Sequence, residues 1–234
     1  MHTIRRFFIF VIMAVFTASF AAAQSNSGRE LSVEESYLQE AIENMIIREM
    51  SRADNLDQKL VALEYIGEAI KHGNTSDDVL QALEYLSMEG QRTIARENGR
   101  IMNNFPSVRR QTAKYLGQIG TQEASDALVM MLHTDNESMV LQEVIKSLGE
   151  IGINNNNETV IYIIDVTSRY DRNKPDNILA VASIEALEKI AKKSGSVDPN
   201  AINLLMRISQ GAYIKPVQER AKQAIANMRS YGNK

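Results

Sequence analysis

The residue types that usually carry metal or catalytic chemistry are scarce in this sequence. Histidine occurs three times, at His2, His72 and His133, and the 234-residue chain contains no cysteine. A helical zinc site needs a second ligand one turn away, and neither His72 nor His133 has one. There is also no glycine-rich phosphate loop and no Gly-x-Ser-x-Gly nucleophile elbow. We therefore expect no catalytic residue, no metal and no cofactor.

A run of arginines is the feature that most resembles a binding site. Arg92, Arg96 and Arg100 recur at every fourth position, which on a helix places them along one side. Three more cations follow on the next predicted helix: Arg109, Arg110 and Lys114. Such a cluster can bind an acidic protein segment, a phosphate-bearing polymer or anionic headgroups. The alternative is a solvated face partly neutralised by Glu89 and Glu97.

Carboxylates and tyrosines are weaker candidates for a site. Glu185 and Glu188 share a helix face, and we interpret them as solvated rather than catalytic. Tyr162, Tyr170 and Tyr213 are expected to pack in the core or at its edge, with a groove lining as the alternative.

The charge balance argues against a nucleic-acid partner. The full chain carries a formal net charge of -3 at pH 7. A protein that binds duplexes relies on a basic surface to displace the counterions of the phosphates, and this chain lacks a basic excess.

Four stretches place apolar or small residues at the same offsets (0, 4, 7, 8 and 11), starting at Val108, Val140, Leu179 and Val217. A weaker fifth copy starts at Gln58. These offsets draw one stripe down a helix, and their recurrence indicates that one helical unit is stacked several times. Stacked helical units usually form binding surfaces.

The remaining signals also favour helices. All four prolines lie at or just before predicted helix starts, where the missing N–H costs nothing. The β-branched run Thr159–Val166 could form a strand, but its place inside a helical array favours a helix. We expect Gly90 to bend or interrupt a helix, with a further helical stretch reaching about Asn103. The predicted fold class is all-α, an α-solenoid.

A glycine recurs inside three copies of the repeat, at Gly67, Gly117 and Gly149. Glycine within a helix costs about 1 kcal/mol relative to alanine, so its recurrence predicts that a neighbouring helix packs closely there. The alternative is that it only loosens the last turn of the helix.

The N-terminus reads as a secretory signal peptide. Arg5 and Arg6 precede the apolar run Phe7–Phe20, and Ala21–Ala23 supplies small residues for cleavage before Gln24. An uncleaved anchor is the alternative, although the run is short for the ~20 residues of a membrane helix. We expect a signal peptide at 1–23, a mobile tail at 24–30 and one solenoid domain at 31–231. The mature chain would then have no transmembrane segment.

The best copies of the repeat, Val108–Gly120 and Val140–Gly152, resemble short HEAT-like repeats of the kind first associated with phycobilin lyases. The resemblance covers about Asp57 to Arg229. Of the four main copies, only Arg109 fills the arginine position of the motif; the other copies carry Leu141, Ala180 and Gln218. The resemblance implies an α-solenoid but carries no lyase activity with it.

Together these features predict an exported scaffold or adaptor that binds a protein partner in the periplasm or cell envelope, or after secretion. Two alternatives remain open from the sequence. One is a lyase-like or chaperone-like enzyme with the same repeats. The other is a binder of an anionic envelope polymer or lipid through Arg92, Arg96 and Arg100.

Overall fold

The computed structural model describes residues 32–92, 94–171 and 175–231. The predicted signal peptide and mobile tail lie outside these residues. The chain divides into two compact units, Met1–Ile42 and Glu43–Lys234.

The described part of the first unit is the beginning of helix α1 (Val33–Arg52), which crosses the unit boundary. A capping box starts this helix, as the sequence predicts. The backbone N–H of Ser32 donates to Glu35 Oε2 at 2.9 Å, and that of Glu35 donates to Ser32 Oγ at 3.2 Å. Two backbone donors that lack helical partners are thereby satisfied.

The described ranges of the second unit hold nine further helices and one two-stranded hairpin. The helices are α2 (Leu56–Lys71), α3 (Asp77–Ser87), α4 (Pro106–Ile119), α5 (Gln122–Thr134), α6 (Ser138–Ile151), α7 (Glu158–Asp171), α8 (Asn177–Ser194), α9 (Pro199–Gln210) and α10 (Lys215–Tyr231). A short 3₁₀ turn, Asn155–Asn157, precedes α7. The run Thr159–Val166 lies within α7, so the helical interpretation is confirmed.

These nine helices form two rows. The first row is α2, α4, α6, α8 and α10, each packed against the next, and the second row is α3, α5, α7 and α9. Every first-row helix carries one copy of the repeated stripe. The predicted all-α solenoid is confirmed.

The stripe is buried between the rows because its residues share one helix face. In α4 the residues at offsets 0, 4 and 8 are Val108, Thr112 and Leu116, and each is fully buried. The one polar member satisfies its own donor, since Thr112 Oγ1 donates to the carbonyl oxygen of Val108 at 2.9 Å. Burial of such stripes, at roughly 25 cal/mol per Å² of apolar surface, provides the main favourable free energy of folding.

The prediction of a helix continuing to Asn103 is wrong. Helix α3 ends at Ser87, and strands β1 (Arg96–Glu97) and β2 (Arg100–Ile101) form an antiparallel hairpin. Asn98 and Gly99 form its turn with φ of 48° and 80°. Asn-Gly is the dipeptide that type I′ turns prefer, because both central residues need positive φ. The turn preference of Asn98–Gly99 therefore determines the local structure, although the arginines are spaced four residues apart, as on one side of a helix.

Candidate partner-binding groove

An open cavity of about 750 Å³ crosses three consecutive helices of the first row. Side chains of α2, α4 and α6 line it. Its lining includes Leu60, Glu64, Arg110, Lys114, Met139 and Lys146. We call this surface the groove. It lies on the face of the first row that does not carry the buried stripe.

Large apolar side chains remain exposed in the groove. Leu60, on α2, is 45% exposed, and Met139, on α6, is 41% exposed, so they lie on the two sides of α4. Exposed apolar side chains framed by charged residues are typical of surfaces that contact another molecule. Methionine adds adaptability to such a contact because its side chain is flexible and polarisable.

The charged side chains of the groove form a small network. Glu143 lies 3.6 Å from Arg110 Nε and 3.5 Å from Lys146 Nζ, so one carboxylate is shared by two cations. The Glu143 side chain is mostly covered, whereas both cations are about half exposed. Pairs of this exposure contribute little to folding, roughly 0–1 kcal/mol each. Their positive excess is therefore available to a ligand.

The structure separates the six cations that the sequence grouped together. Arg110 and Lys114 line the groove. Arg96 and Arg100 lie on the hairpin, where Arg100 is paired with Glu97 and Arg96 with Ile101. Because side chains alternate along a strand, Arg96 and Arg100 point to opposite faces of the hairpin. The prediction of an arginine stripe formed by Arg92, Arg96 and Arg100 is thus wrong.

Arg109 is also not part of an exposed basic surface. Its side chain is fully buried, with Nε 2.5 Å from Asp135 Oδ2. Its Nη1 donates to the carbonyl oxygen of Glu89 at 2.9 Å and to Asn104 Oδ1 at 2.8 Å. Including Arg109 in the partner-binding cluster was wrong, because it is saturated by partners inside the protein.

A second buried cation, missed from the sequence, continues this arrangement. Lys59 is 1% exposed, and its Nζ lies 2.6 Å from Glu89 Oε2. Lys59 stands at offset 1 of the copy that starts at Gln58, which is the offset of Arg109 in the next copy. The carboxylate of Glu89 forms an ion pair with Lys59, and its backbone carbonyl oxygen accepts a hydrogen bond from Arg109. Both cations stand at offset 1 of their copies, and a comparison of the two copies at this offset would have indicated that they have equivalent positions.

Later repeats replace the buried cations with neutral or exposed links. Ser138 Oγ donates to Asp176, the residue before α8, and the backbone N–H of Ile214 donates to Asn177 Oδ1 at 3.1 Å. Glu188, predicted to be solvated, is mostly covered and pairs with Arg220 at 2.6 Å. The later copies carry Leu141, Ala180 and Gln218 at the offset of Arg109, and their repeats are therefore connected by hydrogen bonds and partly exposed ion pairs instead of by a buried cation.

The recurring glycines face the next helix of the first row, as the close-packing prediction requires. A Cβ built on Gly117 would lie 2.6 Å from Ser147 Cβ, and one on Gly149 would lie 2.6 Å from Ala186 Cα. Gly67 instead meets the hydroxyl end of the long Tyr115 side chain, so this glycine makes room for the tyrosine rather than for the neighbouring backbone. The partner always stands at offset 7 of the following copy. Close packing of the neighbouring helix is confirmed at Gly117 and Gly149.

The tyrosines serve packing and local hydrogen bonding. Tyr213 is buried, and burial together with a hydrogen bond to Asp171 raises the pKa of its hydroxyl group. Tyr170 donates to the carbonyl oxygen of Asn136 at 2.5 Å, and Tyr162 packs against His133 with ring centroids 4.9 Å apart. The expectation that they lie in the core or at its edge is confirmed, since Tyr213 is in the core and Tyr162 and Tyr170 are partly buried against it.

Within residues 32–92, 94–171 and 175–231, no three acidic or histidine side chains come together as a metal site. None of the helices in those ranges has both the length and the apolar character to span a membrane.

Comparisons with known proteins agree with the repeat interpretation. Residues 100–169 match the family model described as HEAT repeats. No curated protein matches the sequence. A solved structure, the complex of CpcE and CpcF of phycocyanin lyase from a Nostoc species, is similar over 89% of this chain and 70% of that chain, with 18% identity and a TM-score of 0.54. HEAT repeats are therefore confirmed for the matched residues, and the likeness to the Nostoc structure shows a shared fold.

Proposed function

We propose that this chain is an exported scaffold or adaptor, without catalytic activity, that binds a protein partner through the groove. The observation that carries the proposal is the groove itself, which crosses three stacked repeats and combines exposed Leu60 and Met139 with the Arg110–Glu143–Lys146 network. Protein interfaces combine an apolar centre with a polar rim in this way. Repeat solenoids present such extended surfaces because their units stack side by side.

The similar solved structure supports a protein partner. The Nostoc chain was solved in a complex of two proteins, CpcE and CpcF. Lyase activity does not follow from a fold shared at 18% identity, and we propose none for this chain.

Export to the periplasm, the cell envelope or the medium is the second part of the proposal. Its support is the order of Arg5–Arg6, the apolar run Phe7–Phe20 and the alanines that follow. Mass spectrometry of the protein from its native cells should give a mature N-terminus at Gln24. A protein that retains Met1 in the cytoplasmic fraction would contradict export.

Site-specific photocrosslinking in native cells tests the partner-binding part. A photoreactive residue replaces Gln111, which lines the groove, and in a separate variant replaces Met130, which is 53% exposed on the second row. We expect one discrete protein adduct from position 111 and none from position 130. Equal adducts from both positions, or none from position 111, would contradict a partner in the groove.

A further inference from the structure

We propose that the groove selects an extended partner segment with two acidic side chains at its centre and a basic side chain outside each. This inference rests on the proposed function and specifies the chemistry of the partner. It derives from a line of charges that runs across the repeats.

The line consists of the residues at offset 6 in four consecutive copies: Glu64, Lys114, Lys146 and Glu185. They stand on α2, α4, α6 and α8, and the first three line the groove together. Equivalent positions of stacked repeats form a row on one face of a solenoid. The charges along this row are therefore negative, positive, positive and negative.

The centre of the row has an unneutralised positive charge. Lys146 shares Glu143 with Arg110, as described above. Within the described ranges, no carboxylate lies within ion-pair distance of Lys114, which is exposed. The lining of the groove thus holds three cations, Arg110, Lys114 and Lys146, against two carboxylates, the mostly covered Glu143 and Glu64 at its α2 end. An anionic group between Lys114 and Lys146 would complete the network.

The spacing of the row determines the spacing of the partner's charges. Packed helices lie about 8–10 Å apart, and an extended chain in the polyproline II conformation advances about 3.1 Å per residue with about three residues per turn. One step along the row therefore corresponds to about three residues of such a segment, and every third side chain lies on the face toward the row. The matching pattern is basic-x-x-acidic-x-x-acidic-x-x-basic, where x is any residue.

The size of the groove favours an extended segment over a helix. A helix with its side chains is about 10–12 Å across, so a length that reaches from α2 to α6 would occupy roughly 1,300–2,300 Å³. The groove holds about 750 Å³ and is open to solvent, so most of a bound helix would lie outside it. A segment in the polyproline II conformation is narrower than a helix and presents every third side chain to the row of charges.

Two synthetic peptides test this selection in an NMR titration of the purified chain at low salt. The matched peptide has the pattern above with serine and threonine between the charges. The swapped peptide exchanges every acidic and basic residue, so its length and net charge are unchanged. We expect the matched peptide to bind at least about fivefold more tightly and to shift the signals of α2, α4 and α6.

The double variant Lys114→Glu/Lys146→Glu makes the test reciprocal. Both side chains lie at the surface of the groove, so the fold should be retained, which circular dichroism checks. We expect this variant to prefer the swapped peptide. A variant of the second row, Met130→Glu, should keep the original preference.

The proposal is overturned if neither peptide binds, if both bind equally, or if the double variant keeps the wild-type preference. A discrete crosslink from position 111 together with any of these results would leave groove binding intact and reject only the charge pattern. Vesicles of phosphatidylcholine with about one-third phosphatidylglycerol test a membrane partner instead. Binding to these vesicles that exceeds peptide binding and is abolished in the double variant would also overturn the proposal.

Discussion

Arg109 and Asp135 form a fully buried ion pair with two hydrogen bonds. Arg109 Nε donates to Asp135 Oδ2 at 2.5 Å, and Nη2 donates to Oδ1 at 3.3 Å. The remaining amino group, Nη1, donates to Glu89 and Asn104. One side chain of α4 thereby connects the end of α5 with the segments on both sides of the hairpin. Neither charge contacts water, so each depends on the other.

Loss of the cation should strongly destabilise the second unit. In Arg109→Met the side-chain volume is largely kept, but Asp135 becomes a buried charge without its partner. We expect the free energy of unfolding to fall by about 3–5 kcal/mol, measured by urea denaturation. Arg110→Met is the matched control, because the Arg110 side chain is 52% exposed, and we expect a change within about 0.5 kcal/mol. Similar losses in the two variants would show that burial of the Arg109–Asp135 pair does not matter.

The contact between Gly117 and Ser147 predicts an unusual response to alanine. Alanine normally stabilises a helix by about 1 kcal/mol relative to glycine. Here the added Cβ would lie 2.6 Å from both Cβ and Oγ of Ser147. Gly117→Ala should therefore lower the free energy of unfolding by about 1–3 kcal/mol, because the two helices must separate.

A double-mutant cycle isolates the cause of that loss. Ser147→Gly removes the atoms that the new methyl group would meet, so Gly117→Ala/Ser147→Gly should be more stable than the sum of the single changes by about 1 kcal/mol. Strictly additive changes in thermal and urea denaturation would disprove close packing at this position.

Asp176 gives the fold a dependence on acid. Partial burial raises the pKa of this carboxyl group, but hydrogen bonds from Ser138 and from the backbone amides of Leu179 and Ile178 outweigh burial and keep the pKa below its usual value. A lowered pKa stabilises the fold above the unfolded-state pKa of aspartate. That stabilisation is lost as the pH falls through the lower folded-state value.

Replacement of this carboxylate should accordingly matter more near neutral pH than in acid. We expect Asp176→Ala to cost about 1–2 kcal/mol near pH 7, because the N-terminal cap of α8 is lost, and clearly less near pH 3. Urea denaturation of both proteins across this range measures the difference. Asp126→Ala, at an exposed position whose carboxylate contacts Gln122, is the control near pH 7, where we expect a change within about 0.5 kcal/mol. If the loss of stability in Asp176→Ala instead grew toward acidic pH, the pKa of Asp176 would not be lowered in the folded state.

The solenoid was predictable because the same pattern of apolar and small residues recurs several times in the sequence. Val108, Val140 and Leu179 start three copies whose buried faces pair in the same way, so each copy supports the interpretation of the others. The glycines were predictable for a related reason, since a costly residue recurs at one offset. The hairpin was missed because the spacing of Arg92, Arg96 and Arg100 was given more weight than the Asn98–Gly99 turn signal.

The candidate site could be predicted only in part. Arg110 and Lys114 were identified as exposed cations of α4. Their neighbour Arg109 was not recognised as buried, because its partner Asp135 is distant in sequence and only the packing of α4 against α5 brings the two together. Lys146 and Met139 enter the groove from α6 for the same reason. Helix periodicity assigns residues to faces, but it does not show which faces meet.

The affinity of the purified chain for the partner trapped at position 111 tests the central claim most directly. We predict that Met139→Glu weakens this affinity about tenfold or more, because a charge replaces an apolar contact in the groove, whereas Met130→Glu on the second row leaves it within about twofold. Circular dichroism should show both variants folded. Equal affinity of wild type and Met139→Glu, with loss in Met130→Glu, would show that the partner binds elsewhere and would contradict the account.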